Sequence, residues 1–278
     1  MGESSGHRVG QVGIVLEDRT QTFSVDERTV ADCQDQLARH GVVVYPRLGI
    51  GDEDLVAFSR LFGDVVASPT KEHALPEIAT ITLDPTRASS VMARVRAGNF
   101  LWHIDGMTDE LPQRTTLLSA VEVAEAGGDT EFASTPAALA ALPADRREEI
   151  AGLQVRHSFA AAQRRAHPDA DRDEQARWER LAGRVHPLVW SHASGVESML
   201  IGATAESVVG WEPAAGTALL DDLLGWATQP EFTFRHEWSK GDLVVWDNTT
   251  MLHRAMPFEP TSRRLMHRTT IVGTEPTR

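Results

Sequence analysis

The sequence predicts an α+β, mainly β fold: a double-stranded β-helix, or jelly roll, decorated with helices. Three observations carry this. From residue 100 onward, short β-branched or alternating stretches recur. Helical stretches are inserted among them. The 278 residues show no internal repeat and no low-complexity linker, so 1–278 reads as one domain.

The N-terminal third mixes helix and strand signals. Residues 24–41 (SVDERTVADCQDQLARHG) predict a helix with Ser24 near its cap and Gly41 at its end. GVVVYPR follows as a short buried strand. Residues 52–64 (DEDLVAFSRLFGD) predict a second helix stopped by Gly63, and 78–83 (IATITL) another strand. The later strands are expected at 115–123, 186–192, 198–202, 231–238, 242–247 and 264–273, with helices at 135–142, 144–152 and 217–227. Residues 160–184 are polar and charged, which predicts a solvated loop or exposed helix, with a lid over about 160–185 as the functional alternative.

Composition narrows the function. The apolar fraction is 41% and the charged fraction 24%, as in ordinary globular chains. No stretch approaches the roughly 18 apolar residues of a membrane span, and MGESSGHRVG has no apolar signal core. The single cysteine, Cys33, excludes an internal disulfide, fits a reducing cytoplasm, and reads as a packing residue. A net charge of −13 argues against general nucleic-acid binding. It leaves room for an anionic small molecule held by a few buried arginines.

The chemistry concentrates around FLWHIDG, residues 100–106. In an extended segment, alternate side chains share a face, so His103 and Asp105 point the same way and Ile104 the other. Such a pair is either hydrogen-bonded or two ligands of one metal. Non-heme iron sites use two histidines and one carboxylate. The candidate third ligand is His253, which follows the apolar DLVVWD and the turn-like DNTT. The remaining histidines considered fit less well: His7 falls in a polar start read as disordered, His40 ends a helix, and His186, His192 and His236 lack a partner at metal spacing. His157 reads as structural, and His267 alternates with its strand neighbours. Arg264 and Arg268 share one face of an extended strand, which is unfavourable unless that face meets anions.

Taken together, H-x-D at 103–105, GGDTEF at 127–132, WDN at 246–248, His253 and RRLMHRTTIVG at 263–273 resemble the TauD/TfdA family of Fe(II)- and 2-oxoglutarate-dependent dioxygenases. The resemblance extends from about residue 10 to 275. It implies that His103, Asp105 and His253 bind Fe(II). Thr130 and Arg264 would hold the distal carboxylate of 2-oxoglutarate, and Arg268 the anionic group of the substrate. Asn99 and Phe159 match substrate-contacting positions, and Trp246 a tryptophan near the iron. Two positions depart from the taurine-specific pattern: Ser68 stands where a histidine is expected and Ala205 where a phenylalanine is. A roomier pocket, poorly suited to taurine, follows.

The resemblance therefore implies hydroxylation of a small or medium organic acid, carboxylate or sulfonate, coupled to conversion of 2-oxoglutarate and O2 to succinate and CO2. Retention of Asp105 favours hydroxylation or a hydroxylation-like oxidation such as desaturation, the alternative being such an oxidation of a larger natural-product or acyl substrate. A homo-oligomer, dimer or tetramer, is the further implication. Two alternatives stay open: a noncatalytic metal-binding barrel, and a zinc hydrolase using the same three ligands.

Overall fold

The computed structural model describes residues 6–8, 12–16, 22–70 and 72–277. The N-terminal elements are β1 (Gly6–Arg8), β2 (Ile14–Leu16), α1 (Glu27–His40), β3 (Val42–Tyr45), α2 (Asp52–Phe62), β4 (Ala79–Ile81) and α3 (Ser90–Arg96). Then come β5 (Thr115–Glu122), β6 (Thr130–Ser134), α4 (Thr135–Ala141), α5 (Ala144–Ile150), β7 (Gln154–His157), α6 (Phe159–Ala166) and α7 (Arg172–Glu179). The chain continues through β8 (Arg184–Pro187), β9 (Val189–Ser191), β10 (Glu197–Met199), β11 (Ala205–Val208) and α8 (Pro213–Ala227). It closes with β12 (Thr233–His236), β13 (Leu243–Asp247), β14 (Met251–Ala255) and β15 (Leu265–Ile271).

A seven-stranded sheet runs in the order β1-β2-β3-β13-β5-β15-β4, antiparallel except for the parallel β2–β3 pair. A three-stranded sheet, β12-β6-β14, lies across from it. Period-2 alternation decides what each face of the large sheet meets. Val42, Val44, Leu118, Ala120, Val244, Trp246 and Met266 pack with Phe132, Phe234 and Met251 of the small sheet. On the opposite face, Val43, Tyr45, Leu117, Leu243, Val245 and Ile271 pack with α1 and α2 through Val30, Cys33, Leu37, Leu55, Phe58 and Phe62. Cys33 is fully buried there, and burial pushes its thiol up to about 12, as befits a packing residue. A third core gathers β7, β9, β10 and β11 around α4 and α8.

Several sequence expectations change in detail. The cap of α1, expected near Ser24, is Asp26: its carboxylate accepts from the Thr29 backbone N–H at 2.8 Å, while the Ser24 hydroxyl donates to Asp26. The stretch 186–192 divides at Leu188 between strands of two different sheets. The stretch 231–238 begins as a 3-10 turn, Pro230–Phe232, before β12. His7 lies within β1, whose backbone pairs with β2, so that part of the start is ordered strand. Residues 160–184 are largely helical; α7 is mostly exposed, as expected, but the segment is not free of the core. α6 and α7 bury Ala160, Ala161, Gln163 and Trp178, and Arg94 fastens them by an ion pair to Glu174 and a backbone carbonyl that accepts from His167 Nε2. No helix among the described residues is long and apolar enough to cross a membrane.

Candidate active site

FLWHIDG does not form a regular strand. His103 makes a single antiparallel bridge to His253 of β14, and the chain turns immediately afterwards. Both backbone hydrogen bonds of the bridge are present, His103 N to His253 O at 3.0 Å and the reverse at 2.9 Å. The expected alternation survives this shorter pairing. Trp102 and Ile104 enter the hydrophobic core, leaving His103 and Asp105 on the other side. Gly106 then takes φ +78°, and a Cβ there would meet Gln113 N at 2.5 Å, so the turn that follows Asp105 requires glycine.

One side-chain nitrogen or oxygen from each of His103, Asp105 and His253 lies within 4.8 Å of the others. His103 Nε2 is 3.9 Å from Asp105 Oδ1, and His253 Nε2 is 3.7 Å from Asp105 Oδ2. These gaps are too long for hydrogen bonds. They fit an ion between them, because metal–nitrogen and metal–carboxylate bonds run about 2.0–2.2 Å. The tautomer also fits: His103 Nδ1 lies 2.7 Å from the Leu101 carbonyl, which can only accept, so Nδ1 carries the proton and Nε2 keeps its lone pair.

Electrostatics reinforce the donor set. Burial acts to raise the Asp105 carboxyl, but the Arg268 guanidinium, both imidazoles and the Thr116 hydroxyl overcome it and hold it at about 2. Burial, aided by His103, lowers His253 to about 3, so its ring is neutral at ordinary pH. An ionised carboxylate beside a neutral imidazole is a state that a divalent cation takes.

Both histidines line a cavity of about 50 Å³ together with Ile81, Asn99, Leu118, Thr130, Trp246, Ala255, Arg264 and Arg268. It lies between the two sheets. Arg264 precedes β15 and Arg268 lies within it, yet they meet in one cavity, as expected from their spacing. The bulge between them skips Val121 of β5 and leaves the alternation of β15 intact.

Arg264 is buried, donates from Nη2 to the Gly128 carbonyl at 3.0 Å and stands 4.9 Å from the Phe258 ring. No described carboxylate forms an ion pair with it. Burial pushes it down to about 10, leaving it charged at neutral pH. Gly128 makes room: at φ +76°, its missing Cβ would lie 2.9 Å from Arg264 Nε. Thr130 Oγ1 accepts from Trp238 Nε1 at 3.0 Å, which leaves the hydroxyl proton free for another acceptor. Arg268 is already engaged, with Nη1 3.3 Å from Asp105 Oδ2. Its Nε is buried without a hydrogen-bond partner among the described residues.

Asn99 and Trp246 therefore join the cavity; Phe159, Ser68 and Ala205 are not among its lining residues. Phe159 packs against Ala160, Ala170 and Trp178. Ser68 bonds Thr70 and the Pro76 carbonyl. Ala205 is buried in the core around β11. A far larger cavity of about 700 Å³, lined in part by Trp190, His192, Asp247 and Glu275, contains none of the three candidate ligands.

A second group of matching composition joins Asp52, His73 and His267. His73 escaped the sequence reading, and His267 was set aside on its strand register. Here the carboxylate sits 2.6 Å from His267 Nδ1 and 3.1 Å from His73 Nε2, both direct hydrogen bonds. His73 Nδ1 accepts from the Leu75 N–H at 3.0 Å, so Nε2 carries the ring proton and offers no lone pair. The group ties α2, the following loop and β15 together. His236 is likewise paired, with Asp242 at 3.1 Å. Thr116 and Asn248 are both fully buried beside Asp105 and Trp246; Thr116 had no role in the sequence reading, since its strand context reads as core, and Asn248 entered only as the last residue of WDN, with no chemistry attached.

Comparison with known proteins agrees with this site. The family model described as taurine catabolism dioxygenase TauD, TfdA family, matches residues 6–270. Over 268 residues the chain is 35% identical to an alpha-ketoglutarate-dependent 2,4-dichlorophenoxyacetate dioxygenase of Cupriavidus pinatubonensis, covering 92% of each. It is 32% identical over 258 residues to an (S)-phenoxypropionate/alpha-ketoglutarate-dioxygenase of Sphingobium herbicidovorans, covering 90% of this chain and 88% of the relative. Among solved structures, AAD-2 in complex with Mn(II) and N-oxalylglycine superposes with a TM-score of 0.86 at 26% identity, covering 99% of both chains. A taurine dioxygenase from Burkholderia xenovorans gives 0.79 at 28% identity, covering 99% of this chain and 91% of that one. With its paired histidines, its intervening carboxylate and a match along nearly its whole length, the chain belongs to the TauD/TfdA family of 2-oxoglutarate-dependent dioxygenases.

Proposed function

We propose that the protein uses Fe(II), 2-oxoglutarate and O2 to oxidise a small or medium organic acid, with His103, Asp105 and His253 as the iron ligands. The observation that carries this is one cavity holding both histidines and a buried arginine that has no ion-pair partner among the described residues. Iron bound by this triad supplies the oxygen chemistry, coupling decarboxylation of 2-oxoglutarate to succinate and CO2 with oxidation of a substrate C–H bond. Arg264 neutralises the distal carboxylate of 2-oxoglutarate, and the Thr130 hydroxyl donates to it. Because both groups are already fixed, by Gly128 and by Trp238, little ordering is required when the cosubstrate binds. Apolar Ile81, Leu118 and Ala255 keep the cavity wall dry.

Arg268 and Asn99 face the substrate. Arg268 is shared: it screens Asp105 and keeps Nε available for an anionic group. The named relatives that act on phenoxyacetates and phenoxypropionates make aryloxyalkanoates the first substrate class to try. The two facing sheets and their connections support a double-stranded β-helix working as one domain, with α6, whose Gln163 lies against Gly98 next to the cavity-lining Asn99, as its flap. The single buried cysteine supports a cytoplasmic setting.

The test has two parts. Anaerobic protein mixed with Fe(II) and 2-oxoglutarate should show the weak visible charge-transfer band, and His103→Ala should abolish it. Succinate formation is then followed with 2,4-dichlorophenoxyacetate, (S)-phenoxypropionate, taurine and an alkyl sulfate. Absence of the band sinks the reading; O2-independent turnover would assign a hydrolase instead.

A further inference from the structure

We propose that Thr116 and Asn248 are positioning residues for the metal carboxylate, the last links of a buried relay that runs from the Trp246 indole to Asp105. This rests on the reading that Asp105 ligates the ion. The distances are continuous: Trp246 Nε1 to Asn248 Oδ1 2.7 Å, Asn248 Nδ2 to Thr116 Oγ1 2.8 Å, and Thr116 Oγ1 to Asp105 Oδ2 3.3 Å. The backbone puts the parts in place. Trp246 and Thr116 are direct register partners on β13 and β5, and the Asn248 N–H donates to the Arg114 carbonyl just before β5. Thr116 and Asn248 are fully buried, so water does not substitute for any link.

The chemistry of the groups fixes the direction of the relay. An indole N–H only donates, so the amide of Asn248 must present its oxygen to Trp246. Its NH2 group then faces Thr116 and donates to the hydroxyl oxygen. The one hydroxyl proton of Thr116 is left to point at Asp105. Each link therefore has one sense, and the Asp105 oxygen that faces His253 accepts from a hydroxyl that cannot turn away. Arg268 approaches the same oxygen. Between them they hold the carboxylate so that Oδ1 faces His103 Nε2 and Oδ2 faces His253 Nε2. Partners of this kind change metal affinity about 10- to 100-fold when removed. The relay also couples the cavity wall to the ligand set, because the Trp246 ring stands 4.8 Å from that of His253.

The experiment titrates metal-free protein with Mn(II) and follows the free ion by electron paramagnetic resonance, alongside thermal melting without metal. Wild type should bind and His103→Ala should not. Thr116→Val, which keeps the shape and removes the hydroxyl, should weaken binding about 10- to 100-fold. Thr116→Ser should restore it. Asn248→Leu, which frees the hydroxyl to rotate, should weaken it by less. If Thr116→Val does not fold, Thr116→Ala takes its place. Wild-type affinity in both the Thr116 and Asn248 variants overturns the relay. So does equal weakening in Thr116→Ser and Thr116→Val accompanied by equal losses of Tm, which would mark packing alone. Failure of the wild type to bind Mn(II) would instead remove the ligand assignment beneath the relay.

Discussion

Arg264 and Arg268 share a cavity but differ in what they already hold. Arg264 is buried with a carbonyl and an aromatic ring for company, while Arg268 has the Asp105 carboxylate. Truncating one half of a buried charge pair costs about 2–5 kcal/mol, or roughly 30- to several-thousand-fold in affinity. Arg264→Ala should therefore raise the 2-oxoglutarate KM by that order. Arg268→Ala should raise the substrate KM more than the 2-oxoglutarate KM. Steady-state kinetics with each substrate varied in turn checks both, and equal effects on the two KM values would contradict the division of labour.

At this scale much of the site was legible. H-x-D, His253 and the two arginines stand out in the sequence, and the structure brings both histidines and both arginines to one cavity with Asp105 beside them. Ser68, Phe159 and Ala205 were placed by resemblance alone, and substrate-facing positions shift with every loop. Thr116 stayed invisible because a threonine in TTLLSA reads as a β-branched strand residue, and Asn248 is visible only as part of WDN. Nothing in the chain order announces that Asn248 will reach Thr116.

Elements show a different pattern. The long helices and central strands follow their periodicity, and their ends are where local chemistry decides. At α1 the Asp26 carboxylate, two residues after Ser24, accepts the N-terminal N–H. Asp26→Ala should lower the Tm more than Ser24→Ala, since only the first strips the helix of its acceptor; the reverse order would return the cap to Ser24. β14 escaped notice because MLHRA is too short to show alternation, although it carries His253. The α6–α7 segment reads as solvated because its apolar surface is small and concentrated in Trp178. Trp178→Ala should cost about 3 kcal/mol, measured from urea denaturation midpoints. A surface residue would cost less than about 0.5 kcal/mol. Hydrogen exchange in α6 and α7 should quicken in the same variant.

For the whole molecule, stability has a built-in dependence on pH. His157 sits in β7 with Nδ1 2.9 Å from Thr204 Oγ1, and burial, with His186 and Arg165 nearby, lowers it from 6.5 to about 3. In the unfolded chain this ring takes a proton below about 6.5, while in the folded chain it stays neutral until about 3. The unfolded state thus binds more protons in that window. The contribution of His157 is complete above 6.5 and is lost progressively as the pH falls towards 3. A His157→Asn variant should show a shallower fall of Tm between pH 6.5 and 4. An unchanged slope would assign the acid sensitivity to other groups.

The bridge between His103 and His253 has one more consequence. It joins a segment in the first half of the chain to a strand near its end, and an ion between the two imidazoles would staple the same two points again. Such a staple closes a very long loop, the case in which a cross-link restricts the unfolded chain most. Occupancy would then govern how long the molecule survives as well as whether it turns over, so that iron loss and unfolding become a single event in the lifetime of the enzyme.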